Sequence, residues 1–281
     1  MKERVIMYGA GGTGRKLLPD IKERYTVVCF VDSDERKWGE CIDNIEIKNP
    51  DTALRELEYD YIIISSAPGL DTIHIKLSKL GILNEKIIDT YVLLPLESRR
   101  QFLENLAIIF DNEQIDGACA EAGVFEGDFA KYINQYFANR KLYLFDTFEG
   151  FSEKDIEYEK SKNTSNARGK DYSNTSIELV KAKMPNVDQI IIKKGYFPDS
   201  AKEIDENFCF VNLDLDLYQP TKEGLEWFSD KMVTNGVILV HDYFCETFKG
   251  PKLAVDEFLK NRKDLRKYPI GDGISVMIVG F

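Results

Sequence analysis

Each half of this chain opens with its own glycine-containing turn from an apolar strand into a helix, although the sequence holds no internal repeat. Val5-Ile-Met-Tyr8 reads as a short buried strand, and Gly9-Ala-Gly-Gly-Thr-Gly14 as a tight turn into a helix from near Arg15. Tyr25–Val31 and Tyr59–Ser65 supply two more strands, and an amphipathic helix runs from Thr72 to Leu80. These make half of a doubly wound sheet. From Leu96 to Phe110 the apolar residues Phe102, Leu103, Leu106, Ile109 and Phe110 fall at helical spacing, without the Gly, Ser or Pro runs of a linker, so a packing helix is expected between two sheets. The pattern then starts again. Ala118–Glu121 leads into a turn at Gly123 and Gly127 and a helix over Phe129–Asn139. Further strands are expected at Lys141–Phe145, Gln189–Gly195, Phe208–Val211, Gly236–Val240, Leu265–Ile270 and Ser275–Phe281. The expectation is an α/β protein of two doubly wound domains, residues 1–95 and 96–281, the second with seven strands and a closing hairpin.

Strand ends are where such sheets do chemistry, because ligands bind outside the carboxyl ends of the strands. Phe208–Val211 runs into Asn212-Leu-Asp-Leu-Asp216, and Gly236–Val240 into His241-Asp242-Tyr243. Side chains two apart on a strand point to the same face, so Asp214 and Asp216 are expected to share one small volume. With the two strands adjacent, Asp214, Asp216, His241 and Asp242 meet at one rim as a metal site or an acid/base site. An acid after a strand often only caps a helix or sits in water; four convergent polar groups are harder to explain that way. His74, the other histidine, falls on an amphipathic helix as a surface or boundary residue.

Composition narrows the classes. Among 281 residues, 43% are hydrophobic and 30% charged, with a net charge of -11. That acidity argues against nucleic acid and against an anionic membrane surface as partners. No apolar run is long enough to span a bilayer, and the start of the chain lacks a signal-peptide core. Cys29, Cys41, Cys119, Cys209 and Cys245 are scattered without metal-ligand spacing and read as reduced thiols of a cytoplasmic protein. The polar tract Glu157–Ser176 is either a solvated loop or a lid.

In the first domain the glycines Gly9, Gly11 and Gly14, between strand and helix, form G-x-G-x-x-G, and Asp32 follows the next strand where an acid accepts a ribose hydroxyl. Together with Phe30-Val-Asp-Ser-Asp34, this loop resembles the small Rossmann-type domains at the front of sugar-modifying enzymes. A nucleotide site without hydride chemistry is expected, against a dinucleotide site or a scaffold. Tyr158-x-x-x-Lys162 matches the short-chain dehydrogenase pair only formally.

Over the second domain, Glu121-Ala-Gly-Val-Phe-Glu-Gly127, Tyr143-Leu-Phe-Asp-Thr-Phe-Glu-Gly150, Gly195-Tyr-Phe-Pro-Asp-Ser200, Asn212-Leu-Asp-Leu-Asp-Leu-Tyr-Gln-Pro-Thr221 and Gly236-Val-Ile-Leu-Val-His-Asp-Tyr243 occur in order. This series resembles the macrocin O-methyltransferase family, metal-dependent enzymes that methylate sugar hydroxyls on a class I methyltransferase sheet. The resemblance implies S-adenosylmethionine in the cleft, with Glu121 and Gly123 near its methionine end, Asp146 on the ribose, and Gly127, Thr147, Tyr196 and Asp214 lining it. It also implies a divalent ion, usually magnesium, on Asp214 and Asp242, with Asp216 as general base, a small sugar or glycoside as acceptor, and a homo-oligomer, most simply a dimer. One departure stands out: where the family carries two consecutive acids, this chain has His241-Asp242. Imidazole suits transition ions better than magnesium, so the ion is bound by fewer carboxylates, or it is a softer ion, or His241 turns away or serves as a base. Two other functions compete, an NAD-dependent nucleotide-sugar dehydrogenase or epimerase and an inactive nucleotide-binding scaffold.

Overall fold

The computed structural model describes residues 2–67 and 69–281. The chain divides into two compact units, one up to Glu97 and one from Ser98 to Phe281.

The first unit contains β1 (Arg4–Tyr8), α1 (Gly12–Arg24), β2 (Thr26–Val31), β3 (Cys41–Ile42), β4 (Ile45–Lys48), α2 (Pro50–Glu56), β5 (Tyr61–Ile64), α3 (Leu70–Lys79) and β6 (Ile87–Ile88). Its sheet has the order β3-β4-β2-β1-β5-β6, parallel except for β3 against β4. Residues Val5 to Tyr8 of β1 are all buried, as expected of a central parallel strand covered on both faces. The direction of winding reverses between β1 and β5, which makes that crevice the switch point. The sequence pattern showed three of these strands. It missed β3, β4 and β6, which are two to four residues long and too short to display a period.

Helix α4 (Thr90–Asn112) is one continuous helix that begins before Glu97 and ends in the second unit. There Leu103, Leu106, Ala107 and Phe110 are buried with Phe137, Phe210 and Leu239. The second unit continues with β7 (Ala118–Ala122), α5 (Ala130–Tyr136), β8 (Leu142–Asp146), α6 (Glu153–Lys162), α7 (Ile177–Lys183), β9 (Ile190–Lys194), β10 (Phe208–Leu213), α8 (Tyr218–Ser229), β11 (Met232–Val240), α9 (Gly250–Leu259), β12 (Arg266–Pro269) and β13 (Val276–Val279). The order is β12-β13-β11-β10-β7-β8-β9, with β13 antiparallel to both its neighbours. The seven strands and the closing hairpin are those expected from the sequence, and β13 is inserted antiparallel between β11 and β12. Its switch point lies between β7 and β10, the central pair. The open alternative for the polar tract is decided in part: its first residues are helical, and α6 turns Asp155, Ile156 and Glu159 inward. Among the described residues no helix is long and apolar enough to cross a membrane.

Candidate active site

The switch point of the second unit brings Asp214, His241 and Asp242 together, with Glu121 on the adjoining strand β7. Strand register places Glu121 of β7 beside Asn212 of β10, and Asn212 beside Leu239 of β11. The chain just beyond the strands stays stitched to them: Asp214 N donates to Ala122 O at 2.9 Å and His241 N to Leu213 O at 2.9 Å. One expectation needs correcting here. Strand β10 ends at Leu213, so Asp214 and Asp216 do not share a face by strand alternation. They sit in the following loop, and Asp216 takes a positive φ of 58°, as Asp242 does after β11 with 60°. Left-handed turns tolerate Asp better than most side chains, and here they fold the acids back on one another. Gly123, with φ 85°, allows this crowding, because a Cβ there would collide with the Asp214 carbonyl.

Asp214, His241 and Asp242 offer ligand atoms that all lie within 4.8 Å of one another. His241 Nδ1 is 3.0 Å from Asp214 Oδ1 and 3.1 Å from Asp242 Oδ2. Neither contact has hydrogen-bond geometry, so this buried nitrogen has no aligned partner. Burial opposes a charge on His241, but Asp214 and Asp242 outweigh it and raise its pKa well above the usual value. Burial would also raise Asp214, yet His241 and Arg99 hold it down at about 2. Asp216 goes the other way: burial, then the charges of Asp242 and Asp214, push it well above the carboxylate range. Such a spread is what acids packed at contact distance produce. An orphan nitrogen between two carboxylates fits a small divalent ion, with a mixed N/O donor set that suits a first-row transition ion better than magnesium.

On the cofactor side, Glu121 is 2% exposed. Its Oε1 accepts from Asn212 Nδ2 at 2.7 Å, while Oε2 is buried without a partner. Burial, aided by Asp214, pushes Glu121 up to about 8. A cationic group beside Oε2 would satisfy both the atom and the charge, so the ammonium of an amino acid fits here. Asp146 at the end of β8 spends its carboxylate on the turn: Oδ2 accepts from Val124 N at 2.8 Å and Phe125 N at 2.9 Å, and Oδ1 from Phe148 N at 2.7 Å. Thr147 and Tyr196, expected along the cofactor, have their hydroxyls engaged elsewhere, with Gly150 O at 2.9 Å and Asp155 Oδ1 at 3.1 Å. Gly127 faces Val180 and Met184, so its missing side chain serves helix packing.

The tract after β8 folds over this rim. Glu159 Oε1 accepts from Tyr218 N at 2.8 Å, and Tyr158 stacks on Tyr218 at 5.0 Å, which docks α6 at the start of α8. Tyr172 meets Phe125 edge-on at 5.2 Å and Phe151 at 5.4 Å. The charge of Asp216, then burial, then Asp242 and Asp214, raises the Tyr172 pKa well above its usual value, which puts its hydroxyl in the field of the acid cluster. Sequence reasoning left Tyr172 inside an undivided polar tract. It also missed Arg99, which reaches Asn212 and Asp214 from α4. A signal for Arg99 was present: it shares the face of Phe102, Leu103 and Leu106 at i, i+3, i+4 and i+7.

The glycine loop of the first unit is more closed. Asp32 Oδ2 accepts from Ala10 N at 2.9 Å and from Lys37 Nζ at 2.9 Å, and Oδ1 from Asp34 N at 2.9 Å. A Cβ at Gly14 would strike Gly9 O, and one at Gly9 would strike Ser65 and Ser66, whereas one at Gly11 would meet nothing. His74 is half-buried and pairs with Asp89 at 3.0 Å, outside any cluster.

Against known proteins, residues 1–88 match the family C2185-like, N-terminal, and residues 96–272 match Macrocin-O-methyltransferase (TylF). No curated protein matches the chain. Among solved structures it is similar to the O-methyltransferase NovP, at 21% identity and a TM-score of 0.52, over 64% of this chain and 78% of that one. It is also similar to CalS11, a calicheamicin methyltransferase, at 18% identity and a TM-score of 0.48, over 75% and 86%. The fold of the second unit is thus a methyltransferase fold, and the family match over more than half of the 281 residues agrees with the strand-end motifs. The chain belongs to the macrocin O-methyltransferase (TylF) family and is a methyltransferase.

Proposed function

We propose that the second unit moves the methyl group of S-adenosylmethionine to a hydroxyl of a sugar or glycoside, with a divalent cation at Asp214, Asp242 and His241. The observation that carries this reading is a pair of buried, partnerless atoms on either side of β10, Glu121 Oε2 on β7 and His241 Nδ1 just after β11. One calls for a positive donor and the other lies between two carboxylates, so both are completed by cationic ligands. Bound there, the cation lowers the pKa of a hydroxyl oxygen that would otherwise stay protonated, and the sulfonium supplies an electrophilic methyl.

The residues of the chain have distinct tasks. Glu121 holds the amino-acid end of the donor. Asp146 fixes the turn on which the donor lies, through its bonds to Val124 and Phe125. Asp216 takes the proton from the acceptor hydroxyl; its raised pKa reflects burial and crowded negative charge, the latter being what a cation held by Asp214 and Asp242 would offset. Tyr172 and α6 keep water from the rim, so that oxygen, methyl carbon and sulfur stay in line. The sugar acceptor is supported by family membership, and NovP is itself described as an O-methyltransferase. The acidity of the chain favours a small neutral or cation-assisted acceptor over nucleic acid.

For the first unit we propose a scaffold role, because Asp32 is already satisfied by Ala10 and Lys37 where a ribose would need it. A dehydrogenase finds no support: Tyr158 stacks on Tyr218 in the docked helix α6. The test is transfer of labelled methyl from S-adenosylmethionine to a panel of glycosides and nucleotide sugars, with and without chelator. Transfer that stops with chelator and returns with added magnesium or manganese is expected. Transfer indifferent to chelator would remove the cation, and no transfer to any acceptor would remove the enzyme.

A further inference from the structure

Arg99 is the buried cation at the rim, its side chain only 8% exposed. Its guanidinium lies 3.9 Å over the ring of Phe129, which fixes its plane. Nη2 donates to Asn212 Oδ1 at 2.9 Å and reaches Asp214 Oδ2 at 3.4 Å. Asn212 is fully buried and passes the connection on, since its Nδ2 donates to Glu121 Oε1 at 2.7 Å. An unbroken chain of polar contacts thus runs Asp214–Arg99–Asn212–Glu121. Its two ends are the acid assigned to the cation and the acid assigned to the sulfonium donor.

The placement is informative because it carries an electrostatic cost. A guanidinium beside a cation ligand repels the incoming ion, so charge balance alone would leave it out. What Arg99 supplies is direction. It engages Asp214 Oδ2 and leaves Oδ1 turned to His241. It also engages the Asn212 carbonyl, which obliges the amide nitrogen to point at Glu121. A cation drawing on Asp214 would leave Arg99 to Asn212, and the Asn212 amide would then donate more strongly to Glu121.

We propose that Arg99 is a positioning residue that couples the cation site to the donor site through Asn212. The proposal rests on the functional reading above, and its experiment separates the two. The affinity of S-adenosylhomocysteine is measured by calorimetry with and without magnesium, for the native chain, Arg99→Met, Arg99→Lys and Asn212→Asp. In the native chain magnesium is expected to tighten binding by about fivefold or more. Arg99→Met brings that ratio close to one. Arg99→Lys, which keeps the charge without the planar fork, also loses most of it. Asn212→Asp keeps the size and an acceptor for Arg99 but no donor toward Glu121, and the ratio falls with Arg99 still present.

A native-like ratio in Arg99→Met or in Asn212→Asp overturns the coupling. A role as mere counter-charge predicts that Arg99→Lys retains the native ratio, and that result also overturns the proposal. If circular dichroism shows Arg99→Met unfolded, Asn212→Asp decides. A native chain that binds S-adenosylhomocysteine equally well with and without magnesium removes the coupling and leaves the enzyme; one that never binds it removes both.

Discussion

The two switch points are built alike and finished differently. In each, an acid at the end of the second parallel strand accepts backbone N–H groups from the turn after the first: Asp32 from Ala10, and Asp146 from Val124 and Phe125. In the first unit the remaining capacity of that acid is taken by Lys37, and Gly9 and Gly14 pack on backbone and on Ser65. In the second, the neighbouring strand ends bring Glu121, Asp214, His241 and Asp242 together, with two buried atoms left unpaired. On the proposed reading, the same topology serves support in one place and chemistry in the other. The difference lies in whether the charges at the crevice are satisfied from within the chain.

That contrast can be broken most forcefully at the acids. Asp216→Asn is expected to lower the rate of methyl transfer about 10²–10⁴-fold with S-adenosylhomocysteine affinity unchanged, whereas Asp32→Asn leaves the rate as it was. An equal loss from both, in single-turnover transfer of labelled methyl, would end the distinction. Asp214→Asn and Asp242→Asn should each cost about 10–100-fold in cation affinity, read by titration of manganese in paramagnetic resonance.

Much of this contrast was readable in the sequence, and the part that was not has physical causes. The two glycine turns, the strand cores and Glu121, Asp214, His241 and Asp242 stood out because a buried strand that ends in an acid delivers charge to the mouth of a crevice. The route by which Asp216 joins them did not, since a positive φ in a non-glycine residue leaves no mark in a hydrophobic pattern. Nor did the fate of Asp32 and Asp146. An acid at a strand end looks the same whether it waits for a ribose or has been taken by a backbone amide, and only Lys37 hints at what becomes of Asp32. Arg99 was hidden by its place in a helix that otherwise read as packing, and Tyr172 by a tract with no periodicity at all.

Glu121 sharpens the contrast through pH. Its folded-state pKa of about 8 lies above the ordinary carboxylate value, so between the two the folded chain holds a proton that the unfolded chain has released. Stability conferred by neutral Glu121 is complete below the unfolded pKa and is lost as pH rises toward 8. Ligand-free native protein should lose about 3 kcal/mol between pH 5 and pH 8 relative to Glu121→Gln, measured by urea unfolding at both pH values. A parallel pair of curves would show that the buried carboxyl is already ionised. Replacing Asp146 with Ala strips three backbone donors and should cost about 2 kcal/mol in the same assay, and Asp32→Ala about as much. Smallest of all, Gly11→Ala should change stability by about 1 kcal/mol or less, since nothing occupies the space its side chain would enter; a larger loss would point to an undetected constraint on the first loop.

The seven-stranded sheet ends in β12 on one side and β9 on the other. The first is Arg266-Lys-Tyr-Pro269, and the second closes on Lys193 and Lys194. Lysines and a proline along an open border discourage another strand from adding to it. Growth of this sheet into fibrils or strand-swapped pairs is thereby resisted at both margins, and any self-association of the chain would fall to its helical faces instead.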